Sequence, residues 1–182
     1  MTVATSGYLL DNNIISILAQ PGNARHAPVK QRFEALGDAP VFLPVIAIAE
    51  IEFGMVKTKT PDAAQQAAVR QFFVEYPLHL GIDDNTVEPY SLIRSQIWHD
   101  HATPKGKGSA HKEKQPEDLT ERISGKSLGI DERDLLIAST AAQYGLVLVT
   151  NDNNEGMKRI AQAAQKLELD GKPVQLRIEL WP

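Results

Sequence analysis

Four acidic residues occupy positions where an apolar core would not place a charge: Asp11, Glu50, Asp134 and Asp152. The first ends an apolar run that begins at Gly7, and the last follows the most hydrophobic segment of the chain, Leu146 to Val149. Glu50 lies inside the otherwise apolar Ala47 to Ile51, and Asp134 opens a segment typical of a buried helix. Each acid alone has an ordinary structural explanation. Carboxylates are common helix caps and turn residues, which would account for Asp11, Asp134 and Asp152, and Glu50 could lie on a solvated edge of its helix.

Together, the four acids point to metal chemistry if the fold brings them into one cleft. Two carboxylates about 4 Å apart repel by about 4 kcal/mol at an effective dielectric constant near 20, so such a cluster needs a cation. Oxygen ligands in a chain with no cysteine favour Mg²⁺ or Mn²⁺ over zinc. A cation of this kind lowers the pKa of a bound water and offsets charge on a leaving oxygen, which is the chemistry of phosphodiester hydrolysis.

The elements around these acids predict how they could meet. Short apolar strands alternate with segments of helical periodicity, which favours an α/β domain with a mainly parallel sheet. The predicted strands lie at Gly7 to Leu10, Val41 to Leu43, Leu78 to Ile82, Leu146 to Val149 and Val174 to Leu180. In such sheets ligands bind beyond the carboxyl ends of the strands, where Asp11 and Asp152 both fall.

Length and composition set the broad class. The 182 residues contain 42% hydrophobic and 23% charged residues, which is average for a globular chain, and we expect one domain over residues 1–182. The apolar stretches are too short to span a bilayer and no secretory signal is recognisable, so a cytoplasmic location is expected. A net charge of −4 gives no general attraction to nucleic acid.

Four segments carry a family resemblance. They are Tyr8 to Ser16, Ala49 to Gly54, Asp134 to Ala138 and Leu148 to Asp152, and in order and spacing they resemble the successive motifs of PIN-domain ribonucleases of the VapC toxin type. The resemblance covers about residues 7 to 160. It implies a three-layer α/β/α sandwich with a mainly parallel sheet of about five strands, a Mg²⁺- or Mn²⁺-dependent endoribonuclease acting on RNA, a homodimer, and inhibition by a small antitoxin.

The resemblance also implies roles for individual residues. Its acidic ligands, both catalytic and metal-binding, match Asp11, Glu50, Asp134 and Asp152. Asn13 and Thr150 match polar neighbours that would orient the acids or the water through hydrogen bonds. Asp131, one helical turn before Asp134, is either an outer contact of the metal or a helix cap. Glu52 competes with Glu50 but does not align with the motif.

The chain departs from the family pattern in one place. Residues 103–126 are rich in Lys, Gly, Pro, Ser and Glu, which predicts a mobile polar loop insertion with room for one short helical turn. Its lysines are candidates for contacts with RNA phosphates, although a lysine-rich loop is more often simply solvated: Lys105, Lys107, Lys112 and Lys114.

Two other functions stay open at this point. A phosphatase could use Asp11 as nucleophile, but that chemistry favours a second acid two residues further on, where this chain has Asn13. A catalytically silent domain that binds nucleic acid or protein is the other alternative.

Overall fold

A computed structural model of the chain describes residues 7–102, 115–121 and 123–182. The strands are β1 (Tyr8–Leu10), β2 (Val41–Pro44), β3 (His79–Leu80), β4 (Val147–Thr150) and β5 (Arg177–Leu180). The α-helices are α1 (Asn12–Leu18), α2 (His26–Glu34), α3 (Val45–Val56), α4 (Ala63–Glu75), α5 (Val87–His101), α6 (Glu132–Tyr144) and α7 (Glu155–Leu169). Short 3-10 helices lie at Asp84–Thr86 and Pro116–Asp118.

The five strands form one parallel sheet in the order β3-β2-β1-β4-β5. All four residues of β4 are buried, as are Leu9 and Leu10 of β1, so helices cover both faces of the sheet. The predicted α/β sandwich with a parallel sheet of five strands is therefore confirmed. Of the helices that the structure describes, none is long and apolar enough to cross a membrane.

Strand order explains why β1 and β4 dominate the site. They are adjacent in the centre of the sheet, with Leu9 paired to Leu148 and Leu10 paired to Val149. Parallel strands end at the same edge, so the residues after Leu10 and Thr150 leave the sheet side by side. β2 lies on the other side of β1 and leads directly into α3, the helix that contains Glu50.

Two glycines set how α6 and α7 are placed against the sheet. Gly145 ends α6 with a left-handed backbone at φ 62°, and its neighbour Leu146 leads straight into β4. Gly156, in the first turn of α7, packs on the backbone of Gly129, where a Cβ would lie 2.0 Å from the carbonyl oxygen. This contact fixes α7 against the segment that leads into α6.

The predicted polar insertion is only partly described. Residues 103–114, which include Lys105, Lys107, Lys112 and Lys114, lie outside the described residues. The part from 115 onwards contains the expected short helical turn, at Pro116–Asp118. It also contains more structure than a solvated loop, because Thr120 pairs with Ser127 in an antiparallel bridge and Leu119 is fully buried. Isolated apolar residues in a polar context give no periodic signal, which is why the sequence did not reveal this structure.

Candidate active site

Asp11 is a buried carboxylate at the centre of the sheet edge. It follows β1, caps the N-terminus of α1, and is 3% exposed. One side-chain oxygen accepts a hydrogen bond from the backbone N–H of Asn12 at 2.7 Å, and the other accepts from the Thr150 hydroxyl at 2.7 Å. Burial raises the pKa of Asp11 despite these hydrogen bonds, and the charges of Asp152 and Glu50 act in the same direction.

Thr150 connects the two strand ends. Its hydroxyl donates to Asp11 and accepts from the backbone N–H of Asp152 at 2.9 Å, and the side chain is fully buried. The Asp152 carboxylate accepts from the backbone N–H of Asn154 at 2.8 Å and from the side-chain amide of the same residue. Asn154 in turn caps α7. The loop after β4 is thus held to β1 through one hydroxyl group.

Asp134 lies in the first turn of α6 and faces the other acids. Its pKa is raised from 3.8 to about 7, first by burial and then by the charges of Asp11, Asp131, Asp152 and Glu50. Acidic side chains from four separate elements therefore place their negative charges near one carboxyl group. The fold therefore brings all four of the predicted acids into electrostatic contact.

Glu50 is the acid from α3, and it already has partners. Its Oε2 accepts from the side-chain amide of Asn12 at 3.2 Å, and its Oε1 accepts from the Arg133 guanidinium. Glu52, the competing acid on the same helix, forms an ion pair with Arg70 at 2.9 Å instead. The two glutamates therefore belong to different surfaces of α3.

Arg133 is a residue that the sequence interpretation missed. Its guanidinium bridges Asp131 and Glu50, and these bonds, the one to Asp131 foremost, raise its pKa further. Asp131 caps α6 by accepting from the backbone N–H of Arg133 at 2.8 Å. A basic residue in the first turn of a helix interacts unfavourably with the helix dipole. The position of Arg133 in such a turn, between Glu132 and Asp134 in the sequence, is the signal that could have identified it.

The structure places Asn12, and not Asn13, in contact with one of the four acids. Asn12 donates to Glu50, although the motif had pointed to Asn13. Asn13 is exposed and lines a polar pocket beside Asp152. The orienting role predicted for Asn13 stays a prediction, as does that of Thr150.

The carboxylate oxygens of the four acids are ligands that suit a hard divalent cation. In this conformation, however, they are not arranged as a complete metal site. Within the described residues, no group of three or more Asp, Glu or His side chains is arranged to hold a metal ion. In this conformation the Glu50 carboxylate is bound to Arg133, and that of Asp152 accepts from Asn154. The raised pKa values of Asp11 and Asp134 nevertheless mark an excess of buried negative charge that a cation would relieve.

Comparisons with known proteins agree with this architecture. The chain is 33% identical over 73 residues to Ribonuclease VapC14 from Mycobacterium tuberculosis (strain CDC 1551 / Oshkosh), a match that covers 40% of this chain and 69% of that relative. No model of a known protein family matches the chain.

Solved structures share the fold over nearly the whole chain. VapBC2 from Rickettsia felis, bound to a DNA fragment from its promoter, superposes with a TM-score of 0.59 at 20% identity, covering 96% of this chain and 98% of that one. DNA-bound VapBC from Salmonella typhimurium gives 0.58 at 19% identity, with coverage of 97% and 98%. FitAcB from Neisseria gonorrhoeae gives 0.55 at 21%, with coverage of 85% and 93%.

The parallel sheet with acids gathered beyond its central strands defines a PIN-type α/β domain. Within that class, the similarity to VapC14 places the chain in the VapC family.

Proposed function

We propose that the chain is a metal-dependent endoribonuclease, in which Asp11, Glu50, Asp134 and Asp152 hold one or more Mg²⁺ or Mn²⁺ ions. The observation that supports this most strongly is the raised pKa of Asp134, caused by burial and by the charges of the other acids. The sequence separation of these residues leaves no local reason for their proximity. The ribonuclease name of the VapC14 relative supports the choice of RNA as substrate.

The chain's own residues prepare this site in a definite way. Thr150 and the backbone of Asn12 fix both oxygens of Asp11, so that this carboxylate is oriented before any ligand arrives. Asn12 holds one oxygen of Glu50. When bound, the cation supplies a water of lowered pKa and neutralises charge on the leaving oxygen. For Glu50 to join in holding it, its second oxygen must leave Arg133.

RNA cleavage by matched variants tests the proposal. The wild-type chain is expected to cleave total RNA with Mn²⁺ and not with EDTA. Glu50→Gln is expected to lower the rate at least about 100-fold, because loss of a ligand costs several kcal/mol of stabilisation. Glu52→Gln is the control, since it lies on the same helix and pairs with Arg70. Equal rates for Glu50→Gln and the wild type, or undiminished cleavage in EDTA, would contradict the proposal.

An antitoxin partner is also part of the proposal. The similar structures named VapBC belong to toxin–antitoxin systems, which supports a toxin role for this chain. The antitoxin could place an arginine or lysine among the carboxylates and displace the cation. Arg133 illustrates this chemistry, because a guanidinium is already bound to Glu50.

Inhibition assays test this partner. Where a small antitoxin is encoded next to this chain, we expect it to inhibit cleavage and to lose that effect when its basic residues are replaced. Inhibition that survives their replacement would contradict the displacement mechanism. A homodimer and a cytoplasmic location complete the proposal, and the molar mass in solution tests the first of these.

A further inference from the structure

Two cavities flank helix α1 beside the candidate active site. One, of about 360 Å³, is lined by Asn12, Ser16 and Glu50 together with residues of α3 and α4. The other, of about 480 Å³, is lined by Asn13, Ser16, Ile17, Asn23, Arg25, Asn151 and Asp152. Asp152 and Glu50 thus each border a different cavity. An RNA strand crossing the acids would pass from one cavity to the other.

The second cavity, here called the Arg25 pocket, has the composition of a site for a phosphodiester. Apart from Ile17 and Asp152, its lining side chains are hydrogen-bond donors, and Arg25 adds a full positive charge. An arginine beside carboxamides offers a planar fork of donors that matches two phosphate oxygens. Since the chain carries a net charge of −4, local cations near the acids are what a nucleic-acid substrate requires.

Arg25 is available for such a ligand. Within the described ranges, no carboxylate pairs with its guanidinium. The hydrogen bonds at this residue involve its backbone: its N–H donates to Asn23 Oδ1 at 2.9 Å, and its carbonyl accepts from the Val29 N–H at 3.2 Å. The nearby Asp152 forms no ion pair with it in the described part of the chain, and its carboxylate accepts hydrogen bonds from Asn154 instead. By contrast, Arg70 and Arg133 are both paired with acids.

Arg25 is also held at the correct place by the fold. It precedes α2 at the N-cap position, and the Asn23 side chain bonded to its backbone fixes the turn between α1 and α2. The pocket is closed on its other side by Asn151 and Asp152, which follow β4. Sheet topology therefore joins the α1–α2 turn and the end of β4 in one recess next to the acids.

We propose that the Arg25 pocket binds an RNA phosphate adjacent to the scissile bond, with Arg25 as the phosphate ligand and Asn13, Asn23 and Asn151 as donors to that nucleotide. This inference rests on the proposed ribonuclease function. It assigns the pocket to the backbone of the substrate, so its contribution to affinity is independent of base sequence and sensitive to salt.

Binding of a single-stranded RNA of about ten nucleotides to the Asp11→Asn chain, which is expected not to cleave it, tests the proposal. Fluorescence anisotropy is measured over a range of salt concentrations. Arg25→Gln is expected to weaken binding about tenfold and to reduce the slope of log K against log salt by about 0.7, the value for one phosphate contact on a single strand. Arg25→Lys, which keeps the charge, is expected to retain the slope.

The matched control is Arg32→Gln, an exposed arginine two turns further along α2 that does not line the pocket. It is expected to leave affinity and slope unchanged. Equal losses for Arg25→Gln and Arg32→Gln would overturn the pocket, because they would reflect general charge alone. Unchanged binding by Arg25→Gln would overturn it as well.

A chemically modified RNA sharpens the assignment. One uncharged methylphosphonate linkage is moved along the oligonucleotide, and at the position next to the cleavage site it should weaken binding to the chain with Arg25 but not to Arg25→Gln. If the methylphosphonate linkage and the Arg25→Gln change weaken binding additively at every position, the contact between Arg25 and the phosphate is refuted. Parallel cleavage assays separate the two hypotheses. If the wild type cleaves RNA and Arg25→Gln cleaves it equally well, only the role of the pocket is refuted. If the wild type does not cleave RNA, the ribonuclease function itself is refuted.

Discussion

Replacing Asp134 by asparagine removes the charge that the site tolerates least. Burial, followed by the charges of four neighbouring acids, raises the pKa of Asp134 from 3.8 to about 7. The folded chain therefore keeps a proton on Asp134 that the unfolded chain releases between about pH 4 and pH 7. Because the folded state binds more protons in this window, the free energy of unfolding falls as the pH rises through it. The asparagine variant has no carboxylate at this position, so its free energy of unfolding does not fall for this reason.

The size of the effect follows from the pKa. A rise from 3.8 to about 7 corresponds to about 4 kcal/mol above pH 7. Solvent reaches part of the side chain and the other acids share the repulsion, so we expect about half of this, about 2 kcal/mol. For a chain of this length that gain raises Tm by about 4–8 °C.

Urea unfolding in EDTA at pH 8 and pH 5 measures this gain. Asp134→Asn should be more stable than the wild type by about 2 kcal/mol at pH 8, and by less than about 1 kcal/mol at pH 5, where Asp134 is already protonated in the folded chain. Asp38→Asn, a change of the same kind at an exposed loop position, should show neither effect. A variant no more stable than the wild type at pH 8, or stabilised equally at both pH values, would refute this reasoning.

Three further changes probe the surroundings of the acids. Arg133→Gln should bind Mn²⁺ about tenfold more tightly in calorimetric titration, because its guanidinium no longer competes for Glu50. Gly156→Ala should lower the free energy of unfolding by about 1–3 kcal/mol, since the new Cβ would lie 2.0 Å from the carbonyl oxygen of Gly129. Thr150→Val should cost about 1–3 kcal/mol in urea unfolding, because it removes a buried donor to the carboxylate after β1.

Each of these changes has a matched control. Arg70→Gln breaks the ion pair with Glu52, which is not one of the four acids, and should not alter Mn²⁺ affinity. Gly22→Ala meets no atom within 4 Å and should be tolerated. Thr150→Ser keeps the hydroxyl and should retain most of the stability that Thr150→Val loses. Unchanged Mn²⁺ affinity in Arg133→Gln, or full stability in Gly156→Ala or Thr150→Val, would contradict the corresponding contact.

The sequence predicted the fold and the general location of the acids because both follow from periodicity. Apolar strands alternating with helices imply a parallel sheet, and a parallel sheet brings the residues after its central strands to one edge. Asp11 and Asp152 could therefore be expected to lie near each other. Asp134 was also a candidate from its place at the start of a buried helix. The family motif strengthened that prediction, since a carboxylate in the first turn of a helix is ordinary by itself.

What the sequence could not predict is which polar side chains meet across elements. The pairing of Arg133 with Glu50 joins residues of α6 and α3, and it depends on side-chain conformation rather than on spacing. The same holds for the contact of Asn12 with Glu50. β3 was predicted over Leu78 to Ile82 but consists of two residues, His79–Leu80, as suits an edge strand that ends before Gly81.

Mn²⁺ binding by the metal-free chain, measured by calorimetry, tests the central claim most directly. If the four acids share the catalytic cation, then each single change should weaken the same binding event: Asp11→Asn, Glu50→Gln, Asp134→Asn and Asp152→Asn. Glu52→Gln should bind as the wild type does, because Glu52 is paired with Arg70. A wild-type chain that binds no Mn²⁺, or four variants that all bind it with wild-type affinity, would contradict the account.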